Sequence, residues 1–476
     1  MLLCNTGLYA QSCPEQCVCR FSTISCDGAT SVVTTFPQIE SQEWIRILDV
    51  VNTNITSLQD GDIILPTVPR LIEVSLYSNG IVTLNNSMFV NNTLIKTLRL
   101  QHNKLQFVPS IALEPLQNLV YLALSGNRIQ VIESNAFIEK KYLQFISLDF
   151  NVIQEIDPNA FNKLDNLTYL HLSFNNISKF SFEGLQNSLQ NVHTLSIKNN
   201  SLLDIRTADG SFLSCQWLHL ESNLLSYLQN FSLVGFPNLV YLNLKSNVII
   251  RMDASAFGSS EHPLQIFVLE NNNLEDIPVL LFRNLPNLRS INFKNNKIKV
   301  VAREAFLNNK WLKRLDLSYN SIHSCHALSL KGLTRLNLLK LDYNNLTNIP
   351  VEMLEGSSSQ GFFSFHGNDW ICDCNLYDVQ KQFQGSYRSI RGMTCFHPID
   401  FQGVDVMDVP FANFCREESN IGIPLSTTHK TLLADDSETS QDEIGLIVLL
   451  ILTGVIPLVG IMTYIYARKT RVSEIP

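Results

Sequence analysis

Eleven cysteines, ten histidines and eight asparagines in N-x-S/T triplets are the residues of this 476-residue chain whose chemistry could exceed packing. The cysteines are unevenly placed. Four fall within Cys13–Cys26 and four within Cys372–Cys415. Clusters of that kind act as disulfide staples in an oxidising compartment. Zinc is the rival chemistry, but neither cluster has paired C-x2-C knuckles or a nearby pair of histidines. Catalysis finds no support. There is no nucleophile elbow, no metal-ligand helix motif and no glycine-rich phosphate loop, so no metal and no cofactor is expected. Asn54, Asn85, Asn91, Asn166, Asn176, Asn199, Asn230 and Asn345 each open a triplet free of proline and are candidate N-glycan acceptors. Asn199, at a strand end, is the least accessible of them. The net charge of −8 and the lack of a Lys/Arg stripe argue against a nucleic-acid partner.

The elements that position these residues come from a repeat. The stretch Leu119–Ile129 places apolar residues at Leu119, Leu122, Leu124 and Ile129 and an asparagine at Asn127. The pattern L-x-x-L-x-L-x-x-N-x-L returns every 23 to 25 residues, with its asparagine at 79, 103, 127, 151, 175, 200, 223, 247, 272, 296, 320, 344 and 368. An opening repeat, Ile45–Ile55, carries Thr53 in that place, which makes about fourteen coils over residues 45–368. A chain with such a period grows as a solenoid and needs no single large core. The L-x-L core predicts a short strand, paired in parallel with its neighbours at about 4.8 Å. The asparagine carries two donors and an acceptor, enough to satisfy backbone groups where the strand turns. Ten residues on, a phenylalanine (Phe89, Phe137, Phe161, Phe257, Phe282, Phe306) or a leucine fills the far side of the coil. One place is irregular, Ser178–Cys215, and reads as a local shift on the convex side. Cys215 and Cys325 occupy buried positions and read as small core hydrophobes.

The spacing C-x3-C-x-C-x6-C from Cys13 to Cys26, the repeats, and Cys372-Asp373-Cys374 followed by Cys395 and Cys415 together resemble the extracellular leucine-rich-repeat family. More narrowly they resemble its single-pass members with cysteine caps at both ends and a minimal cytosolic tail. The resemblance implies an α/β solenoid, a leucine-rich-repeat horseshoe with a parallel sheet on its concave face. It implies an N-terminal cap over 13–44 bridged Cys13–Cys19 and Cys17–Cys26. It also implies a C-terminal cap over 369–416 bridged Cys372–Cys395 and Cys374–Cys415. Asp369 stands where the family has proline, which predicts a looser turn.

Outside the repeats, residues 1–12 read as a truncated signal peptide. Residues 417–443 are rich in Ser, Thr, Asp and Glu and read as a flexible stalk. Residues 444–467 carry no charge, and a helix there would be about 36 Å long, enough for a hydrocarbon core of about 30 Å. Arg468, Lys469 and Arg471 follow, which places the tail 468–476 in the cytosol. The expectation is a single-pass plasma-membrane protein with its N-terminus outside.

Within each strand, the residues between the buried leucines face outward. In successive coils these are Tyr121, Phe145, Tyr169, Thr194, Trp217, Tyr241 and Ile266, joined two residues on by His171 and His219. Aromatic residues are frequent interface anchors, so Tyr121, Phe145, Tyr169, His171, Trp217, His219 and Tyr241 form the candidate ligand-binding row. Arg99, His102, Lys294 and Arg314 would supply a polar rim. The two histidines lack a matching carboxylate pair in this reading, which makes them surface residues. The plainer alternative is that aromatic side chains favour strands and stack between coils. The row predicts a receptor-like or adhesion protein that binds an extracellular protein ligand or co-receptor and has no signalling domain of its own. A structural tethering glycoprotein using its convex face and glycans is the alternative.

Overall fold

In the repeats the outward and inward residues alternate as a pleated strand requires. In Tyr121–Ala123, for example, Leu122 is fully buried and Tyr121 half-buried. A computed structural model of the chain describes residues 13–14, 17–28, 45–56, 68–137, 139–207, 211–355, 361–383 and 389–410. The chain divides into two units, Met1–Arg416 and Glu417–Pro476. The second unit, and with it the expected stalk, membrane helix and tail, lies outside the described residues, as does the expected signal segment. Among the described residues no helix is long and apolar enough to cross a membrane.

The first unit is a solenoid built on one 17-stranded sheet. Its strands pair in parallel, coil to coil, in unshifted register, so that Tyr121 lies beside Phe145, Phe145 beside Tyr169 and Trp217 beside Tyr241. The caps do more than cover the ends. Thr23–Asp27 joins the sheet in parallel with Ile47–Val51, and Val18–Arg20 folds back on it antiparallel, closing that edge. At the other end Ser389–Arg391 pairs in parallel with Phe362–Ser364. Disulfides join Cys13 to Cys19, Cys17 to Cys26 and Cys372 to Cys395. Cys374 is disulfide-bonded, while Cys415 lies outside the described residues.

The asparagines tie the coils together. Asn127 Oδ1 accepts the Leu105 N–H of the preceding coil at 3.0 Å, and its Nδ2 donates to the carbonyls of Leu100 and Leu124, both at 2.9 Å. The same three contacts recur down to Asn368, which accepts from Leu346 and donates to Leu341 and Phe365. In the opening repeat Thr53 takes the place of an asparagine and presents its own N–H and hydroxyl to Asn79 Oδ1. The residue before each marker is left-handed: Ser78, His102, Gly126, Phe150, Phe174, Asn199, Ser222, Ser246, Asn271, Asn295, Tyr319, Tyr343 and Gly367 all have positive φ. That conformation costs a residue other than glycine about 1–2 kcal/mol, and it turns the chain so that the next side chain points inward. At Gly367 a Cβ would lie 2.5 Å from the Tyr343 ring, so glycine there also admits the ring of the preceding coil.

The irregular place resolves into a helix, Phe182–Leu189, with Ser181 capping it through Gly184 N–H at 3.2 Å. Phe182, Phe212 and Phe236 pack together there, with ring centroids 4.7–5.9 Å apart, and supply the aromatic filling that the ten-residue spacing omits. Cys215 and Cys325 are buried thiols, pushed up to about 12 by burial. The looser turn expected at Asp369 is not found. Its N–H donates to the Leu346 carbonyl at 3.0 Å, a bond that proline could not make. Trp370 is fully buried and donates Nε1–H to the Phe365 carbonyl at 3.2 Å.

His262 bridges two coils. Its Nε2 donates to the Phe236 carbonyl at 2.8 Å, and its Nδ1 accepts from the Leu264 N–H at 3.3 Å. A second proton on Nδ1 would face that N–H, and burial already holds the imidazole below its ordinary value of 6.5.

This packing has two measurable consequences. Asn127→Leu leaves the buried Leu105 N–H without its partner, at roughly 1–3 kcal/mol, while the Leu100 and Leu124 carbonyls keep the Nδ2 donors of Asn103 and Asn151. The urea midpoint should drop accordingly, and an unchanged midpoint would contradict the bridging role. For His262, the depressed folded value means that the unfolded chain takes the proton first as pH falls. Its contribution is therefore intact above pH 6.5 and lost below it, with a slope of at most about 1.4 kcal/mol per pH unit for one proton. Unfolding of wild type and His262→Gln, compared from about pH 7.5 to about pH 5, should show a shallower acid loss in the variant.

Candidate ligand-binding surface

Parallel pairing in unshifted register stacks equivalent side chains of consecutive coils on the outward sheet face. Tyr121 and Phe145 lie parallel, 4.5 Å between centroids, and Phe145 continues to Tyr169 at 6.3 Å and edge-on to His171 at 5.1 Å. A second block holds Trp217 stacked on Tyr241 at 5.0 Å, with His219 at 5.1 Å from Tyr241. The expected row is thus two blocks. Thr194 and Ser196 separate them, because the strand between, Thr194–Ser196, has only these short hydroxyl side chains beside its buried leucine.

The gap forms a hollow of about 470 Å³. Phe145, Tyr169 and His171 bound one side and His219 the other; Thr194, Ser196 and Ser173 line it, with Asp149 and Lys198 at its edge. Both histidines have carboxylates, contrary to the sequence reading. His171 Nδ1 lies 3.6 Å from Asp149 Oδ2, and His219 Nδ1 lies 3.6 Å from Glu221 Oε1. Asp149 belongs to the coil before His171, whereas Glu221 follows His219 by two residues in the same coil. Asp149 is fixed by the Ser173 N–H at 2.6 Å. Burial, and next the negative Glu221, push the Tyr241 phenol above its ordinary value, which keeps it a neutral donor.

The expected rim divides. Arg99 pairs with Glu73 and lies over the Tyr121 ring at 5.6 Å, so it ends the first block. Its charge also acts on Asp49, whose carboxyl burial pushes above the usual range against Arg99. His102 packs edge-on against Tyr77 instead. Lys294 lies 5.1 Å from the Tyr319 ring, and Arg314 is exposed in its strand.

A further aromatic set was not visible as part of the row. Phe150 stacks on Phe174 at 4.2 Å, and Tyr319 on Tyr343 at 4.5 Å. All four are exposed and left-handed. Their shared signal is the position immediately before the asparagine.

Ser364, His366 and Asp342 look like a hydrolytic trio but are wired otherwise. Ser364 Oγ and Asp342 Oδ1 both contact His366 Nδ1, at 3.0 and 3.2 Å. A serine nucleophile needs its base and its orienting acid on opposite ring nitrogens. Among the described residues no group of three or more His, Cys, Asp or Glu is arranged to hold a metal. Of the glycan acceptors, Asn54, Asn91, Asn166, Asn176, Asn230 and Asn345 are exposed, while Asn85 and Asn199 are half-buried. Asn166 Nδ2 donates to the Lys141 carbonyl at 2.6 Å.

A family model described as leucine rich repeat matches residues 69–129, 94–153, 141–189, 262–322 and 295–346. Leucine-rich repeat-containing protein 3 of Danio rerio is 27% identical over 175 residues, 35% of this chain and 63% of that protein. Nephrocan of Mus musculus is 26% identical over 223 residues, 47% of this chain and 38% of that protein. Podocan of Mus musculus is 32% identical over 182 residues, 35% of this chain and 28% of that protein. The chain therefore spans less than two thirds of each of these relatives. Among solved structures, a chain of the Drosophila Toll–Spatzle complex superposes with a TM-score of 0.62 at 20% identity, over 79% of this chain and 56% of that one. A leucine-rich-repeat protein of Leptospira interrogans does so with 0.60 at 22% identity, over 73% and 84%. Likeness at those identities is likeness of fold. The matched windows, the asparagine bridges and the in-register parallel sheet agree: this chain carries leucine-rich repeats and folds as a leucine-rich-repeat solenoid.

Proposed function

We propose that the chain is a cell-surface receptor-like or adhesion protein that captures a protein ligand or co-receptor on the outward, concave face of its sheet. The observation that carries this reading is the pair of stacked aromatic blocks, Tyr121–Phe145–Tyr169 and Trp217–Tyr241. Their inward neighbours already fill the core, so these rings are not needed to bury it. Tyr169 and Trp217 stay 45% and 42% exposed, and large exposed apolar groups set side by side mark interaction sites. The uncharged stretch 444–467, followed by Arg468, Lys469 and Arg471, supports a single membrane span at the plasma membrane with the repeats outside. The disulfides at both ends and the exposed N-x-S/T sites fit an extracellular glycoprotein.

Proximity labelling on intact cells tests the reading. The full chain is compared with Trp217→Ala and Tyr241→Ala, each checked for surface display and for wild-type resistance to limited proteolysis. Surface partners labelled by the wild type should be lost or reduced about tenfold or more in the variants, the scale of an interface hot spot. An identical partner set from well-folded variants would refute capture on this face.

A further inference from the structure

We infer that N-linked glycans on Asn176 and Asn345 rest on the exposed rings of Phe174 and Tyr343, so that the two left-handed ring pairs are footings for sugars carried by the chain itself. The inference rests on the extracellular part of the reading above, because N-x-S/T acceptors are used in secreted chains.

The sequence places ring and acceptor together. Of the eight N-x-S/T triplets, those of Asn91, Asn176 and Asn345 have an aromatic residue two positions before the asparagine: Phe89, Phe174 and Tyr343. Phe89 is fully buried in the core. Phe174 and Tyr343 are the later rings of the two exposed pairs, Phe150–Phe174 and Tyr319–Tyr343. Each exposed pair in the left-handed column thus ends two residues before an acceptor.

The fold puts ring and acceptor on one face. The marker between them, Asn175 or Asn344, is turned inward and buried, and the residues on either side of it are exposed. Two residues of extended backbone span at most about 7 Å, so the first sugar on the acceptor reaches the ring. The base of each acceptor is fixed. Asn176 N–H donates to the Ile153 carbonyl at 2.9 Å, and Asn345 N–H to the Ile322 carbonyl at 2.8 Å. Their side-chain amides have no hydrogen-bond partner among the described residues, and the hydroxyl residues of the two triplets, Ser178 and Thr347, are exposed. Other triplets are tied down. Asn166 Nδ2 donates to the Lys141 carbonyl, Asn230 Oδ1 accepts from the Ser255 N–H at 3.3 Å, and Ser232 of the Asn230 triplet is buried.

The rings leave their outward rims open. Phe150 covers one face of Phe174, and Lys198 approaches that ring at 5.7 Å. Tyr319 covers one face of Tyr343, and Gly367 stands against that ring. Even so, Phe174 stays 38% exposed and Tyr343 52%. A ring at such a position carries backbone strain and leaves apolar surface in water. The C–H groups and N-acetyl methyl of a first N-acetylglucosamine are apolar surface suited to cover that rim. Attachment forms a bond from Nδ2 to the anomeric carbon of the sugar. It breaks the bond from that carbon to the diphosphate of a lipid-linked oligosaccharide, and Nδ2 gives up one proton.

The test uses the full-length chain produced in a glycosylating eukaryotic cell. Glycopeptide mass spectrometry reads occupancy, and the urea midpoint reads stability. Asn176 and Asn345 should both be occupied. Serine already holds the left-handed position at Ser78, Ser222 and Ser246, so Phe174→Ser and Tyr343→Ser keep the backbone. Asn176→Gln should lower the midpoint when Phe174 is present and leave it unchanged in Phe174→Ser. Asn345→Gln should behave likewise with and without Tyr343, because groups in contact give non-additive losses. Asn54 has the same register position but follows Asn52 instead of a ring, so Asn54→Gln should leave the midpoint unchanged. Additive losses, no loss on removing either sugar, an equal loss from Asn54→Gln, or bare Asn176 and Asn345 on a chain glycosylated elsewhere would overturn the footing alone. A chain with no glycan at any acceptor would overturn it together with the extracellular reading.

Discussion

Each asparagine side chain does the work of a small piece of secondary structure. In one amide it satisfies an N–H two residues past the previous marker, a carbonyl of the previous coil and a carbonyl of its own. No apolar residue can do this, and a buried backbone group left unpaired costs about as much as one such bond contributes. The amide reaches those partners because the residue before it is left-handed. Two adjacent positions are therefore constrained together. One is fixed in identity and buried; the other is fixed in backbone and exposed. Everything else in a coil is arranged around that pair, including the strand that precedes it and the convex side that follows.

The exposed member of the pair shows how little of the outer surface the fold dictates. Glycine is the inexpensive residue at a left-handed position, and Gly126 and Gly367 occupy it. Phenylalanine and tyrosine carry a backbone cost there, yet Phe150, Phe174, Tyr319 and Tyr343 hold it in consecutive pairs that stack. Stacking recovers part of that cost, since an aromatic pair is worth about 0.5–1.5 kcal/mol beyond its buried area. The same register that stacks these rings stacks Tyr121 on Phe145 and Trp217 on Tyr241. Because the sheet is parallel and unshifted, any outward position becomes a column, and a column is interrupted wherever one coil carries a short side chain. Thr194 and Ser196 do this, and the hollow is the result.

What was legible in the sequence follows from that register. The period of Asn127 and its equivalents gave the coils, the alternation within Tyr121–Ala123 gave the outward row, and the end cysteines gave the caps. What was not legible depends on contacts between coils. Asp149 meets His171 across 22 residues, a spacing that means nothing until the coils are in register. The pairing of Phe150 with Phe174 was hidden for a different reason. The position before the asparagine is not part of the strand alternation, so a reading built on the strand passed over it. At Asp369 a departure from the family's proline suggested loss, whereas the structure shows a gained hydrogen bond, because an N–H replaced a ring nitrogen that has none. The convex irregularity had the same character. The spacing rule missed Phe182 and Phe212, but a helix brought them onto Phe236 and restored the packing.

The solenoid also determines how its surface can be interrogated. Each coil is held by its two neighbours through the asparagine bridges, the strand pairing and the apolar filling, so stability is close to a sum of nearest-neighbour terms. The outward residues contribute to those terms through stacking and through pairs such as Arg99 with Glu73. Trp217 and Tyr241 stack on one another, but their strand-mates Leu218 and Leu242 are fully buried and remain so whatever stands beside them. Removing an outward ring therefore costs a contact and leaves the core closed, whereas removing an asparagine such as Asn127 strips a buried N–H of the preceding coil of its partner and takes one of two amide donors from a carbonyl in each coil. The two kinds of residue lie within a few positions of each other in every repeat. It is their separation by face that lets one chain keep a regular interior while its outer columns change from coil to coil.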